Sequence, residues 1–415
     1  MGVEPVQIEP TDCDEPPDYP VLFRALLVRS VQAALADVDP AAPRLDEDQR
    51  ERSLYALSLA LDLAEAWPAA RELTLTIAPF MEMQGYRREW MDFLEKGIAQ
   101  AASQADKRTY ARLQLHMGRL YQLLGDYALA DKCLLRSRQL AEESGDKTAL
   151  VATLDRLSIA AVEQNDFTKA RALAEETLTM LEPDDPAGAP SYHVLGLIAR
   201  RQAKPDEAIA HYTHALALRR QEGVVRFVAQ AVRDVGFAYR YAKEYDTALL
   251  HYRQAVQLFN ESGSIFEEAG AMMGVGIISW HLGRYDDALT CYAACEPVFI
   301  KTSSDLYLAK LHNNRGLVFL DLGRYGESEQ AFALSIGMAR ALGDHLETAN
   351  AQESLGGLYL RMHRYDDAIA TWQAALHELA TLPETPRYMS ELLHSRLREA
   401  EQQRGTPAPA SPVAR

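Results

Sequence analysis

Small residues return along this chain at a nearly constant interval. One column holds Gly118, Ser158, Gly196, Gly236, Gly276, Gly316 and Gly356, spaced by 40, 38, 40, 40, 40 and 40 residues. Nine residues further on stand Tyr127, Phe167, Pro205, Tyr245, Tyr285, Tyr325 and Tyr365, then three on Ala130, Ala170, Ala208, Ala248, Ala288, Ser328 and Ala368. Four beyond those come Leu134, Ala174, Tyr212, Tyr252, Tyr292, Phe332 and Trp372. Ser137, Thr177, Ala215, Ala255, Cys295, Ser335 and Ala375 complete the register. Apolar residues at i, i+3 to i+7 within each unit predict two amphipathic helices. Glycine and alanine columns let their backbones approach, and aromatic columns fill the gap to the next pair. Gly145, Gly223, Gly263, Ser303 and Gly343 share a column where a left-handed residue would close the second helix. No segment alternates with a period of two, so the pattern predicts an all-α chain.

The flanks follow different rules. Residues 1–19 hold six acids, four prolines and no base, and are expected to be a disordered acidic tail. Residues 20–38 and 46–66 predict two amphipathic helices within a 20–69 cap, the second opened by Asp46 and stopped by Trp67-Pro68. A divergent unit is expected over 70–110 and seven regular ones over 111–388. Residues 387–404 predict a C-terminal capping helix, since an array needs a polar outer end. The remainder, 405–415, is a Pro/Ala tail. The turn at Glu182-Pro183-Asp184-Asp185-Pro186 and the shortened unit carrying Pro205 mark the expected place for a bend.

The pattern of small residue, x2, Tyr, x3, Gly, x, Tyr, x2, Ala, x3, aromatic, x2, Ala resembles the tetratricopeptide (TPR) repeat. Its forty-residue period is similar to the long-helix variety of kinesin light chains, LGN-type adaptors and bacterial regulators such as MalT. The resemblance implies a right-handed superhelical solenoid of antiparallel helix pairs. It also implies that the first helix of each pair lines a concave groove, through positions 5, 9 and 12–13 with the small residue as 8.

Composition narrows the function. With 43 basic against 59 acidic residues the net charge is −16, which argues against nucleic acid or an anionic membrane as partner. Four cysteines are too few for a disulfide framework, and the cytoplasm is the expected location. No run approaches eighteen uninterrupted apolar residues, and the N-terminus lacks the basic and apolar regions of a signal peptide. Catalytic motifs fail in context. Gly145-Asp146-Lys147-Thr148 breaks the Gly-Lys adjacency of a P-loop. Gly270, Gly274 and Gly276 follow no strand, and neither G-x-S-x-G nor H-E-x-x-H occurs. Cys291 and Cys295 lie four apart, but Cys295 occupies the small-residue column, so packing explains it. His211 and His214 share a helix face without a third ligand. Paired acids such as Asp286-Asp287 and Asp366-Asp367 suit helix starts better than acid/base work. No enzyme activity, metal or cofactor is expected.

Within the implied groove, the third and fourth units place His193, Leu197, Arg200, Arg201, Arg233, Phe237, Arg240 and Tyr241. The fifth adds Met273, Ile277, Trp280 and His281, and the sixth Asn313, Leu317, Leu320 and Asp321, with Asn314 at position 6. In kinesin-light-chain-like repeats an asparagine at that position bonds a bound peptide's main chain, which Asn314 alone matches. Arg315, at a normally apolar position, is expected to reach solvent or a partner. Four inner-wall arginines reverse the sign of an acidic chain. Guanidinium forks suit carboxylates, and Arg, Trp and Tyr dominate binding energetics. Neighbouring acids, among them Asp155, Glu163, Asp234, Asp321 and Glu353, could instead neutralise that wall from within. The expected function is therefore a non-enzymatic scaffold that binds a peptide or protein segment, acidic or ending in a free carboxylate, as a regulatory adaptor. The alternative is a peptide-pheromone receptor or sensor module resembling Rap/PlcR or STAND-type regulators.

Overall fold

The computed structural model describes residues 18–40, 42, 44–83, 86–382 and 386–405, and among these residues there is no strand. The tails expected at 1–19 and 405–415 fall outside them, apart from Asp18, Tyr19 and Gly405. The chain divides into two compact units, Met1–Ile198 and Ala199–Arg415. The first contains α1 (Tyr19–Asp37), α2 (Glu47–Ala60), α3 (Trp67–Met83), α4 (Arg87–Ser103), α5 (Lys107–Leu124), α6 (Tyr127–Ser144), α7 (Lys147–Glu163) and α8 (Phe167–Thr179). A 3-10 turn, Pro186–Gly188, leads into α9 (Ala189–Arg201), inside which the division falls. The second unit continues with α10 (Pro205–Glu222), α11 (Val225–Tyr241), α12 (Tyr245–Glu261), α13 (Ile265–His281) and α14 (Tyr285–Lys301). It ends with α15 (Asp305–Asp321), α16 (Tyr325–Ala341), α17 (His345–Arg361), α18 (Tyr365–Ala380) and α19 (Arg387–Gly405).

Each unit is a stack of helix pairs, and the turns explain why. At the end of most pairs the chain reverses through one left-handed residue, such as Gly145 (φ 66°) or Gly343 (φ 69°), while α8 leads to α9 through the 3-10 turn instead. Ser303 does the same at φ 49°, the non-glycine of that column. Connections this short force neighbouring helices to run antiparallel. Their facing stripes then close a core of Leu57, Ile77, Trp90 and Leu94 in the first unit. In the second, Tyr252 and Phe259 pack with α11 and α13, and Tyr292 and Phe299 with α15.

Two sequence expectations need correcting. Trp67-Pro68 does not stop α2, which ends at Ala60; it opens α3. A proline's fixed φ suits a helix's first turn, where its missing N–H has no partner to lose. Asp46 does cap α2, exchanging bonds with Gln49. The expectation that nothing is apolar enough to cross a membrane fails for α1. An 18-residue stretch of its 19 residues has a mean hydropathy of 1.2 despite Arg24 and Arg29, and Tyr19, Val21, Phe23 and Leu26 are exposed. Length and composition alone set that threshold.

The small-residue columns have a direct packing cause. A Cβ built on Gly274 of α13 would lie 2.1 Å from the buried Tyr252 ring of α12, whereas one on Gly337 of α16 would meet nothing within 4 Å. Opposite effects are therefore expected from one chemical change. Gly337→Ala should stabilise by about 0.5–1 kcal/mol, the backbone-entropy gain. Gly274→Ala should destabilise, because overpacking of about 1–3 kcal/mol outweighs a helix-propensity gain of about 1 kcal/mol. Thermal unfolding of the two variants checks the signs.

Acidic caps join successive pairs in the first unit. Asp106 caps α5 through the Thr109 N–H and receives Arg71 of α3 at 2.8 Å. Asp146 repeats this one unit on, capping α7 through Ala149 and taking Arg112 of α5 at 2.8 Å. Burial pushes the Asp146 carboxyl up, but bonds from Arg112 and the Ala149 N–H, with the Arg112 and Arg108 charges, hold it below its ordinary 3.8. A depressed folded pKa contributes stability above the unfolded value and loses it as pH falls through the folded one. Asp146→Asn should therefore cost stability at pH 7, and its deficit from wild type should shrink below about pH 4. Denaturant melts at both pH values measure this.

Candidate binding surface

The sequence-derived site residues separate into three groups. His193 lies on α9 in the first unit, half-buried and in contact with neighbours. Asn313 and Asn314 lie on α15. Asn313 is only 5% exposed and its Oδ1 has no hydrogen-bond partner among the described residues, while Asn314 is half-buried. The remaining residues gather on α9, α11 and α13.

Here Arg200 and Arg240 both stack on Phe237, with guanidinium carbons 4.7 and 4.4 Å from its ring centroid. Phe237 and Arg240 are one helical step of three apart on α11, which aims them along one face. Arg200 also donates to the hydroxyl of Tyr212, whose pKa burial raises. Neither Arg200 nor Arg240 forms an ion pair among the described residues. Arg233 differs: its Nη2 lies 3.3 Å from Asp234 Oδ1. Burial works against the Arg233 charge, but Asp234 outweighs it and raises the pKa above the ordinary value. Internal neutralisation thus holds at Arg233 and not at the Phe237 pair.

The rest of the wall is more varied. Arg201 and Tyr241 are exposed. Trp280 of α13 donates through Nε1 to Asp321 Oδ2 at 2.8 Å, and Asp321 also pairs with Arg361 at 3.4 Å. The ring of Trp280 stays half-buried against His281. Arg315 is a correction. Its guanidinium is not left for an outside partner but pairs with Glu296 of α14 through both nitrogens, at 3.3 and 2.8 Å. An arginine in an apolar column is accommodated by the carboxylate facing it.

The first unit carries inner-wall charges that the search of units three to six passed over. Glu82 of α3, only 2% exposed in its side chain, lies 2.6 Å from His116 Nδ1 and 3.0 Å from Arg119 Nη2, both on α5. Arg156 of α7 stands in the same repeat column as His116. Extending the position count to the first two units would have found Arg119 at position 9, whereas Arg156 falls at position 6, the column of Asn314. Glu82 had no such signal, because its unit is degenerate.

A cavity of about 340 Å³ lies between α12, α13 and α14, lined by Arg253, Val256, Met272, Val275, Asp287 and Cys291. None of the groove residues lines it. Burial pushes the thiol of Cys291 up, and that of Cys295, whose Sγ donates to the Ala269 carbonyl, to about 12. Among the described residues no group of three His, Cys, Asp or Glu is placed to hold a metal.

The tetratricopeptide repeat model matches residues 109–182, 188–261 and 306–376, together just over half of the chain. The chain belongs to the tetratricopeptide repeat family. Its architecture is similar to that of a Rap protein complexed with competence and sporulation factor, at 15% identity and a TM-score of 0.60 over 91% of this chain and 98% of that one. Aspartyl phosphate phosphatase F from Bacillus subtilis gives 12% and 0.58, over 91% and 97%. A STAND protein with a tetratricopeptide repeat sensor from Pyrococcus horikoshii gives 14% and 0.57, over 93% and 68%. At these identities the likeness is one of fold. No curated protein matches the chain in sequence.

Proposed function

We propose that this protein is a non-catalytic scaffold that binds a peptide or protein segment on the α9–α11–α13 face of its second unit. The segment would present an acidic side chain or a free carboxylate. The observation that carries this reading is the pair of guanidinium groups on Phe237 with no carboxylate paired to them. Flat cationic forks beside an aromatic ring offer a carboxylate bidentate bonds and its flanking apolar groups a contact surface. Trp280 extends that surface one repeat further.

A second reading draws on the likeness to the Rap protein in complex with competence and sporulation factor. There the array would sense a short signalling peptide and not hold a protein. Affinity capture on the full chain followed by mass spectrometry separates the two. A protein that an acidic peptide displaces supports the scaffold, and a co-purifying short peptide supports the sensor. Capture unaffected by acidic peptides counts against this face. Because one similar fold is that of an aspartyl phosphate phosphatase, release of phosphate from a phosphorylated aspartate would overturn the non-catalytic part.

A further inference from the structure

We propose that the inner wall of the first unit holds a second anion site, in which Arg119 and Arg156 take one oxyanion group, a carboxylate or a phosphate, from a partner. The inference stands on side chains other than those of the second-unit face and does not depend on that reading.

The argument is one of donors without acceptors. A guanidinium carries five N–H donors and no acceptor. Among the described residues neither Arg119 nor Arg156 makes a side-chain hydrogen bond, although both are partly buried. Arg119 lies 3.0 Å from Glu82 Oε2, yet that oxygen has no hydrogen bond, so the two charges touch with the N–H groups aimed elsewhere. The other Glu82 oxygen is occupied by His116 Nδ1 at 2.6 Å. Asp155, beside Arg156 in sequence, accepts from Ser191 Oγ at 2.8 Å. Asp155 is thus engaged, and Glu82 leaves one oxygen, Oε2, against the N–H groups of two guanidiniums, so donors still outnumber acceptors in the cluster.

Register places the two guanidinium groups together. His116 and Arg119 are three apart on α5, hence on one face, and Arg156 occupies the His116 column of the next pair. Gln122 of α5 donates to the Arg156 carbonyl at 3.2 Å, pinning α7 alongside. Burial, then the like charge of Arg119, lower the Arg156 pKa to about 10 despite Glu82 and Asp155. A cation so placed costs stability while empty, since burying a charge without a hydrogen-bonded partner is unfavourable. An oxyanion between the two forks would accept the idle N–H groups and relieve the repulsion between the two cations.

This account makes Arg156 a binding residue and not a structural one, and the two roles differ in sign. In the full chain, Arg156→Met should unfold at the same or a higher temperature than wild type without ligand. Inorganic phosphate and glutarate serve as probes in thermal unfolding. With Arg200→Met and Arg240→Met as the common background, so that the second-unit face contributes no response, at least one should raise the midpoint in a saturable way, and adding Arg156→Met should abolish that rise. A larger response to phosphate assigns the site to a phosphorylated group, and a larger response to glutarate to a carboxylate. A lowered midpoint for Arg156→Met without ligand would make the cation structural and overturn the site. So would a rise that survives the addition of Arg156→Met to that background, or no saturable rise with either probe.

Discussion

Trp372→Ala is expected to destabilise the second unit by about 3–5 kcal/mol, the range for truncating a fully buried large aromatic. The side chain has no exposed surface and packs with Ala349, Ile369, Leu379, Met389 and Leu393, so it joins α17 and α18 to the final helix α19. It fills the space that Gly356 leaves open: a Cβ there would lie 2.3 Å from the indole nitrogen. That nitrogen donates to the Glu353 carbonyl at 3.0 Å. Truncation would therefore leave a cavity between two helices that cannot close up without moving α19, and would remove the second donor to a helical carbonyl. Denaturant unfolding followed by circular dichroism would show the loss. A variant within about 1 kcal/mol of wild type, the scale of ordinary surface changes, would mean that α19 is not packed as described.

The double substitution Arg200→Glu and Arg240→Glu should weaken partner binding by on the order of 2–5 kcal/mol, the cost of disrupting a desolvated charged contact. Helical content should not change, because both side chains are only half-buried and lie on Phe237 rather than beneath it. Binding by the wild type should weaken as salt rises, and that dependence should flatten in the double variant. Arg233 is a poorer choice for this test than its position suggests. Removing it would also strand Asp234, whose oxygen lies 3.3 Å away. Undiminished capture by a folded double variant would remove this face from consideration.

The array was legible in the sequence because its packing is periodic. Gly276, Gly316 and Gly356 each face one aromatic of the following helix, Tyr292, Phe332 and Trp372, so each contact recurs at a fixed interval. The ends of helices in the flanks were less legible. Trp67-Pro68 carries the same residues whether it stops one helix or starts another, and only the packing of Trp67 into the first-unit core decides. For the binding surface, repeat positions named the arginines but not their partners. Arg315 and Glu296 are nineteen residues apart and belong to different pairs, as do Trp280 and Asp321. Such pairings depend on side-chain reach across helices, which a column of residue types does not encode. The stacking of two arginines on Phe237 was equally hidden, since Arg200 lies on α9 and Arg240 on α11.

That stacking has a consequence for how tightly a small contact surface could bind. A free arginine samples many rotamers, and immobilising it on association costs about 0.5–1.5 kcal/mol per side chain. With its guanidinium laid on an aromatic face, each arginine has given up much of that freedom before any ligand arrives. Repulsion between the two cations is meanwhile borne by the folded chain, and a carboxylate entering between them relieves it. Ordering already accomplished and repulsion waiting to be relieved both favour the occupied state. A short segment with a single well-placed acid could thus be held at this face through few contacts, most of its selectivity residing in that one group.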